Sequence, residues 1–205
     1  VLDCNNTSLT LSGTGSSTGA NFAYLWSGPG LVSGSTTLSP VVNAAGNYIL
    51  QVTNTTTGCT SSANVSVSAN TTLPTVNVSA GAGVLDCNNT SLTLSGSGSS
   101  TGANFAYPWS GPGLVAGSTT LSPVVNAAGT YNLLVTNTVT GCTSSANVSV
   151  SANTTLPTVS VSAGAGVLDC NNTSLTLSGT GSSTGANFAY LWTGPGLVSG
   201  STTLS

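Results

Sequence analysis

From Gly46 onward the chain alternates. Tyr48, Leu50 and Val52 fall on one side; Asn47, Ile49, Gln51 and Thr53 fall on the other. A period of two predicts a strand with one buried face. Shorter alternating runs occur at 8–12 (Leu9 and Leu11 inward), at 21–27 (Phe22, Tyr24 and Trp26 on one face), at 59–69 (Ala63, Val65 and Val67) and at 75–80. A further strand is predicted at 36–42. Pro40 interrupts it, which assigns it to a sheet edge. Between these runs lie turn signals: Asn5, Asn6 and Thr7, the glycine-rich 13–19, Gly28-Pro29-Gly30, and 55–58. No stretch carries helical periodicity. The predicted core is Phe22, Tyr24, Trp26, Tyr48, Leu50 and Val52, with Phe105, Tyr107, Trp109 and Tyr131 as their later counterparts.

The pattern recurs. Val-Leu-Asp-Cys-Asn-Asn-Thr begins at Val1, Val84 and Val167, so the period is 83. Residues 1–83 and 84–166 differ at eight positions; 167–205 differ from 1–39 only at Thr193. The period suits one small sandwich per copy. The expected boundaries are 1–72 for a first module lacking its first strand, 73–155 for a complete second, and 156–205 for a truncated third. The chain then reads as a piece of a longer array. Strands missing at its ends lie either in adjoining sequence or in neighbouring chains.

The differences between copies agree with the assigned faces. Ile49 becomes Asn132 and Gln51 becomes Leu134, while Tyr, Leu and Val keep the inward positions. A buried isoleucine would not become an unpaired amide cheaply. Leu25 becomes Pro108, between Tyr107 and Trp109. Proline fits a strand where its missing N–H faces no partner, which places this strand at a sheet edge. About seven strands per period, with turns every 8–12 residues, predict an all-β fold: tandem immunoglobulin-like (PKD-like) β-sandwiches with a three-plus-four layout.

Composition narrows the function. Lys, Arg and His are absent, and the only charges are Asp3, Asp86 and Asp169, for a formal net charge of −3. Nothing can hold phosphate, so neither nucleic acid nor anionic lipid is an expected partner, and no membrane insertion is expected. A catalytic centre needs a base, a nucleophile and a stabiliser in one pocket, and the base is missing. One Asp per repeat supplies neither a carboxylate pair nor a calcium site. No enzyme activity, metal or other cofactor is expected. The glycine-rich 13–19 lacks the lysine and following helix of a phosphate loop.

Cysteines stand at 4, 59, 87, 142 and 170. The spacing from 4 to 59 recurs from 87 to 142. It favours Cys4–Cys59 and Cys87–Cys142, with Cys170 pairing beyond Ser205. Free buried thiols are the alternative. One pair per module fits an oxidising, extracytoplasmic setting. A standard immunoglobulin topology puts these two positions at opposite ends, so that pairing implies a variant layout.

The order Cys, Leu-Thr-Leu-Ser-Gly, Phe-Ala-Tyr-x-Trp, Gly-Pro-Gly, Asn-Ala-Ala-Gly-x-Tyr-x-Leu-x-Val-Thr-Asn, Gly-Cys-Thr resembles the PKD-like and immunoglobulin-like repeats of giant surface adhesins and fibrous appendages of gliding and predatory Bacteroidota. The resemblance covers the whole chain and implies export by type IX secretion, a cell-surface location, and a role in adhesion, gliding or prey capture. It brings no catalytic residues with it. The near absence of charge departs from most such adhesins. Two functions follow as expectations. The first is the shaft of an extracellular adhesive fibre, assembled side by side or intertwined from identical chains. Another cell's surface would then be reached through regions outside 1–205. The second is a single-chain adhesin whose repeats each hold a weak glycan site and act by avidity.

Overall fold

The computed structural model describes residues 1–81 and 83–204. They form two compact units, Val1–Asn153 and Thr154–Ser205. No helix occurs among the described residues.

The first unit contains two sandwiches, each with its own core. In the first, β1 is Leu2–Asp3, β2 Leu9–Thr10, β3 Phe22–Ser27, β4 Leu31–Ser33, β5 Val41–Val42, β6 Gly46–Asn54, β7 Thr60–Val67 and β8 Ala69–Asn70. One antiparallel sheet has the order β2-β5-β4 and the other β3-β6-β7. β1 runs parallel to β8, with Leu2 opposite Ala69. The core between the sheets gathers Leu2, Leu11, Trp26, Val42, Tyr48, Leu50 and Val67. Tyr24 and Val52 pack against it half-buried, and Phe22 is half-buried as well.

The second sandwich repeats this plan. β9 is Leu85–Asp86, β10 Leu92–Thr93, β11 Phe105–Ala106, β12 Trp109–Ser110, β13 Leu114–Ala116, β14 Val124–Val125, β15 Gly129–Asn137, β16 Thr143–Val150 and β17 Ala152–Asn153. Tyr131, Leu133 and Val135 are fully buried and Trp109 nearly so, with Phe105 and Tyr107 half-buried against them.

Each buried aromatic hydroxyl or indole N–H finds a carbonyl, as a low-dielectric core demands. Tyr48 donates to Ala44 O and Tyr131 to Ala127 O, both at 2.6 Å. This bond pins the start of the central strand to the turn before it. Trp26 donates to Thr37 O at 2.9 Å and Trp109 to Thr120 O at 2.8 Å. Gly28 lies under the Tyr48 ring with φ +150°, so a Cβ there would overlap the ring. Ile49, predicted to face outward, is 42% exposed. Asn132 in its place donates to Asn147 Oδ1 across the sheet at 2.8 Å.

Several elements depart from expectation. The strand predicted at 36–42 shrinks to β5, which is central in its sheet and not at an edge. Pro40 is fully buried just before it, where its carbonyl takes the Leu11 N–H at 2.9 Å. β4 has no counterpart among the predicted strands, because Leu31-Val32-Ser33 is too short to show a period. Leu9, predicted inward, is 37% exposed, and Ala63 and Val65 are exposed too. Their counterparts Leu92, Ala146 and Val148 are half-buried. The second sandwich carries an added layer: Val76, Val78 and Ala80 pack on its core, and Ser79 bridges Ser95 with two bonds of 2.8 Å. Among the described residues no such segment packs on the first core.

β3 is an edge strand, as Pro108 implied, but Pro108 does not face away from the ladder. Its carbonyl accepts the Leu134 N–H at 3.1 Å. In an antiparallel pair the N–H and C=O of one residue point the same way. The ring therefore sits where a ladder donor belongs, and the strand splits into β11 and β12, where β3 runs unbroken through six paired residues. Pro108→Leu is expected to rejoin the strand. The recovered hydrogen bond contributes about 0.5–1.5 kcal/mol, and the loss of proline's stiffening of the unfolded chain offsets about 0.4–1 kcal/mol of it. Stability should thus move by less than about 1 kcal/mol. Amide exchange at 106–110 should slow clearly, which hydrogen-exchange mass spectrometry would read.

The second unit begins with β18, Ser162–Ala163, antiparallel to β19, Leu177–Ser178. Thr158 O accepts the Ser183 N–H at 3.0 Å, and Trp192 donates to Thr203 O at 2.7 Å. Val159 and Val161 are 79% and 65% exposed.

Candidate functional site

The residues with chemistry to offer gather where the first sandwich meets the second. Asp3 closes a tight turn: Oδ1 accepts the Asn5 N–H at 3.0 Å, the Asn6 N–H at 2.7 Å and the Asn6 side-chain amide at 3.0 Å. The turn sits at the end of the β1–β8 pair, beside the point where the chain leaves for the second sandwich. It holds Cys4 outward.

The facing element is the β15–β16 hairpin. Asn137 Oδ1 accepts the N–H groups of Val139 and Thr140 at 3.0 and 3.2 Å, and Gly141 takes φ +71°. Cys142 at its end is fully buried. Cys4 and Cys142 form a disulfide across the junction, with a Cα separation of 5.0 Å. Asn5 N–H donates to Thr140 O at 3.1 Å beside it. Gly141 lies so close to the Asn5 amide that a Cβ would overlap it.

This corrects the expected pairing. Neither Cys4–Cys59 nor Cys87–Cys142 forms; Cys59, Cys87 and Cys170 are exposed free thiols. The reason is the ordinary sandwich topology. The first cysteine of a module and its last hairpin stand at opposite ends, and here Cys4 meets the hairpin of the next sandwich instead. The bonded partners are separated by 138 in sequence, one full period more than the spacing within a repeat. That relation was available in the sequence. So was the point that a standard topology puts the two positions at opposite ends; the sequence does not say which module lies against each end.

Electrostatics at the junction are slight. Backbone N–H groups hold the carboxyls of Asp3, Asp86 and Asp169 below the usual aspartate value, the bond from Asn6, Asn89 and Asn172 respectively being the main cause. A carboxyl with a lower pKa folded than unfolded adds stability in full above the unfolded value of 3.8, and that stability is lost as pH falls through the folded one. No other side chain changes charge between there and the thiol range. Stability should be flat from neutral pH down to about pH 5 and decline only below about pH 4. Thermal melts across a pH series would check this.

The predicted aromatic positions make no sugar platform in the first unit. Trp26 and Tyr48 are buried, and Tyr24 gives its hydroxyl to Ser17 O at 2.9 Å. An open groove of about 410 Å³ does run beside β7, lined by Ser16, Ser17, Phe22, Leu50, Val52 and Cys59 among others.

These features define a class: an all-β chain of tandem immunoglobulin-like sandwiches, two of them joined by a disulfide. No protein-family model matches the chain, and no curated protein does. Among solved structures it is similar to three N-terminal domains of the highly immunogenic outer capsid protein of bacteriophage RB49, at 17% identity and TM-score 0.34, covering 71% of this chain and 51% of that one. It is also similar to the four N-terminal immunoglobulin domains of Dscam1, at 14% identity and TM-score 0.26, covering 69% and 40%. The titin domains z1z2 in complex with telethonin match at 14% identity and TM-score 0.25, covering 66% and 82%. The chain thus spans about half or less of the first two.

Proposed function

We propose that these repeats form the shaft of an extracellular adhesive fibre or surface appendage, assembled side by side or intertwined from identical chains. The carrying observation is the Cys4–Cys142 disulfide between modules. A covalent link from one sandwich to the next limits bending and resists pulling at the linker, which a shaft under load needs. It also supports an oxidising, extracellular setting. Each module would add roughly 35–45 Å of reach, from strands at about 3.3 Å per residue plus loops.

The surface fits lateral assembly. With no Lys or Arg there is neither like-charge repulsion nor a charged guard on the sheet edges. β7 is an eight-residue edge of Thr, Ser, Ala, Asn and Val, exposed along all but its last residue. Near-identical modules present that edge at a fixed interval, which favours regular association. Export by type IX secretion and a part in gliding or prey capture belong to the same reading. Attachment would then lie outside 1–205. The glycan-binding alternative is weaker, because Trp26 and Tyr48 are buried and Tyr24 is half-buried with its hydroxyl already bonded.

Electron microscopy with mass measurement on concentrated chain tests this. Multi-chain filaments are the expected result. Single, unassociated beads at every concentration would overturn it.

A further inference from the structure

We propose that the outer face of the first sandwich's β3-β6-β7 sheet docks on a second copy of this chain. Its place there is the outer face of the second sandwich's sheet, with the central strands β6 and β15 antiparallel. This rests on the lateral-assembly reading in taking identical chains as partners, and it adds the surface that sets their register.

The two faces differ in a way that makes them complementary. Along β6 the outward positions read Asn47, Ile49, Gln51, Thr53; along β15 they read Thr130, Asn132, Leu134, Thr136. Laid antiparallel, Ile49 meets Leu134 and Gln51 meets Asn132, with threonine or asparagine at both ends of the row. Apolar side chains cover apolar ones, and amides meet amides. In this orientation β3 lies over β11 and β12. Leu25, diagonal to Ile49 and 53% exposed, extends the apolar patch from one side; Pro108, opposite Leu134, extends it from the other. On the far flank Ser62 and Asn64 meet Asn147 and Ser145. Other arrangements match less well. Two first-sandwich faces laid antiparallel set Ile49 against Gln51, and an amide buried against hydrocarbon is costly. Laid parallel, they set Ile49 on Ile49 but turn β3 over β7, which leaves Leu25 against Ser62.

Substitution between the two sandwiches is concentrated on this face. The outward side of β3 and β6 takes seven positions of the 83-residue period: 23, 25, 27, 47, 49, 51 and 53. Four of the eight differences fall there, at 25, 47, 49 and 51. Exposure alone does not account for this, because Thr60, Ser62, Asn64 and Ser66 of β7 are also exposed and none changes in β16. The edges β7 and β16 share one sequence and cannot tell the sandwiches apart; the faces can. Neither face carries a charge, so docking strips water from no ion. With nine residues in β6 and strands about 4.8 Å apart, the footprint is about 420 Å² on each partner, roughly half of a standard stable interface. One such contact holds only at high concentration, and several in a row give a lasting bundle. Because the faces differ, the contact is heterologous and passes from copy to copy, as a fibre needs.

The test exchanges the pattern. Ile49→Asn with Gln51→Leu gives the first face the row of the second; Asn132→Ile with Leu134→Gln does the converse. These side chains point away from the cores, and melting curves check that each variant stays folded. Sedimentation velocity over a concentration series reads association, with the three free thiols alkylated. The native chain should associate reversibly. Either double variant alone should need at least about tenfold higher concentration, since each contact then buries two amides against hydrocarbon. The chain with all four substitutions should associate like the native one. So should an equal mixture of the two double variants, in which the exchanged faces match across copies. The mixture keeps the test decisive even if the fourfold variant folds poorly. Association unchanged in either double variant, no recovery in the mixture, or a native chain monomeric throughout would overturn the contact. Filaments formed equally by every variant would leave the shaft reading standing while the contact fails. Association that follows the exchanges but yields no filaments by microscopy would do the reverse.

Discussion

Cys142→Ser should separate the unfolding of the two sandwiches in the first unit. The native bond joins cysteines 138 apart in sequence. On the chain-entropy model a loop of that length stabilises by roughly 5 kcal/mol, less any strain. That rivals the whole stability of a small domain, about 5–15 kcal/mol. In the native chain the two sandwiches should melt in one transition that depends on the bond. In Cys142→Ser, or after reduction, the melt should split or fall by at least about 10 °C, since about 1 kcal/mol is worth roughly 2–4 °C at this size. Calorimetry with and without reductant reads this directly. Cys59→Ser in the same assay should change nothing at low protein concentration, because Cys59 is unbonded within the chain. Equal effects from the two substitutions would contradict the cross-module pairing.

Tyr131→Ala should unfold the second sandwich. The ring is fully buried between the sheets and covers Gly111, whose Cβ-less face it touches. Its hydroxyl donates to Ala127 O at 2.6 Å, and burial raises its pKa. Truncation removes the packing and leaves a cavity, at about 3–5 kcal/mol for a buried aromatic. Loss of the corner hydrogen bond adds about 1 kcal/mol. Tyr131→Phe isolates that second part and should cost only about 0.5–1.5 kcal/mol. Urea unfolding followed by tryptophan fluorescence should show the second sandwich lost in Tyr131→Ala and kept in Tyr131→Phe. If both variants cost the same, the hydroxyl rather than the ring holds the corner.

The two predictions rest on parts of the molecule that were unequally legible. Tyr131 was visible as a core residue from alternation alone, because a strand with one buried face imposes a period of two. Its counterparts Tyr48, Leu50 and Trp26 were visible for the same reason, and the change of Ile49 to Asn132 independently marked the outer face. β4, β5 and the β1–β8 pair are two or three residues long and show no period. Their existence depends on what lies beside them. Leu9 illustrates the point: the sequence of β2 matches that of β10, yet Leu9 is exposed where Leu92 is half-buried. Gly83, next to the added layer, lies against Leu92, and among the described residues the first sandwich has no such stretch.

Side-chain chemistry and short-range geometry are written residue by residue. They settle the module, its period, its strand faces, its uncharged surface and the lack of a base for catalysis before any strand is placed. The cysteine partners and the Pro108 break are different, because both are questions of direction in space. The spacing from Cys4 to Cys59 gives a distance along the chain, and standard topology sets the two at opposite ends of a sandwich, but neither says which module stands against each end. Only when the strands are laid side by side does Cys4 face the hairpin of the next module, and only then does the carbonyl of Pro108 turn toward Leu134.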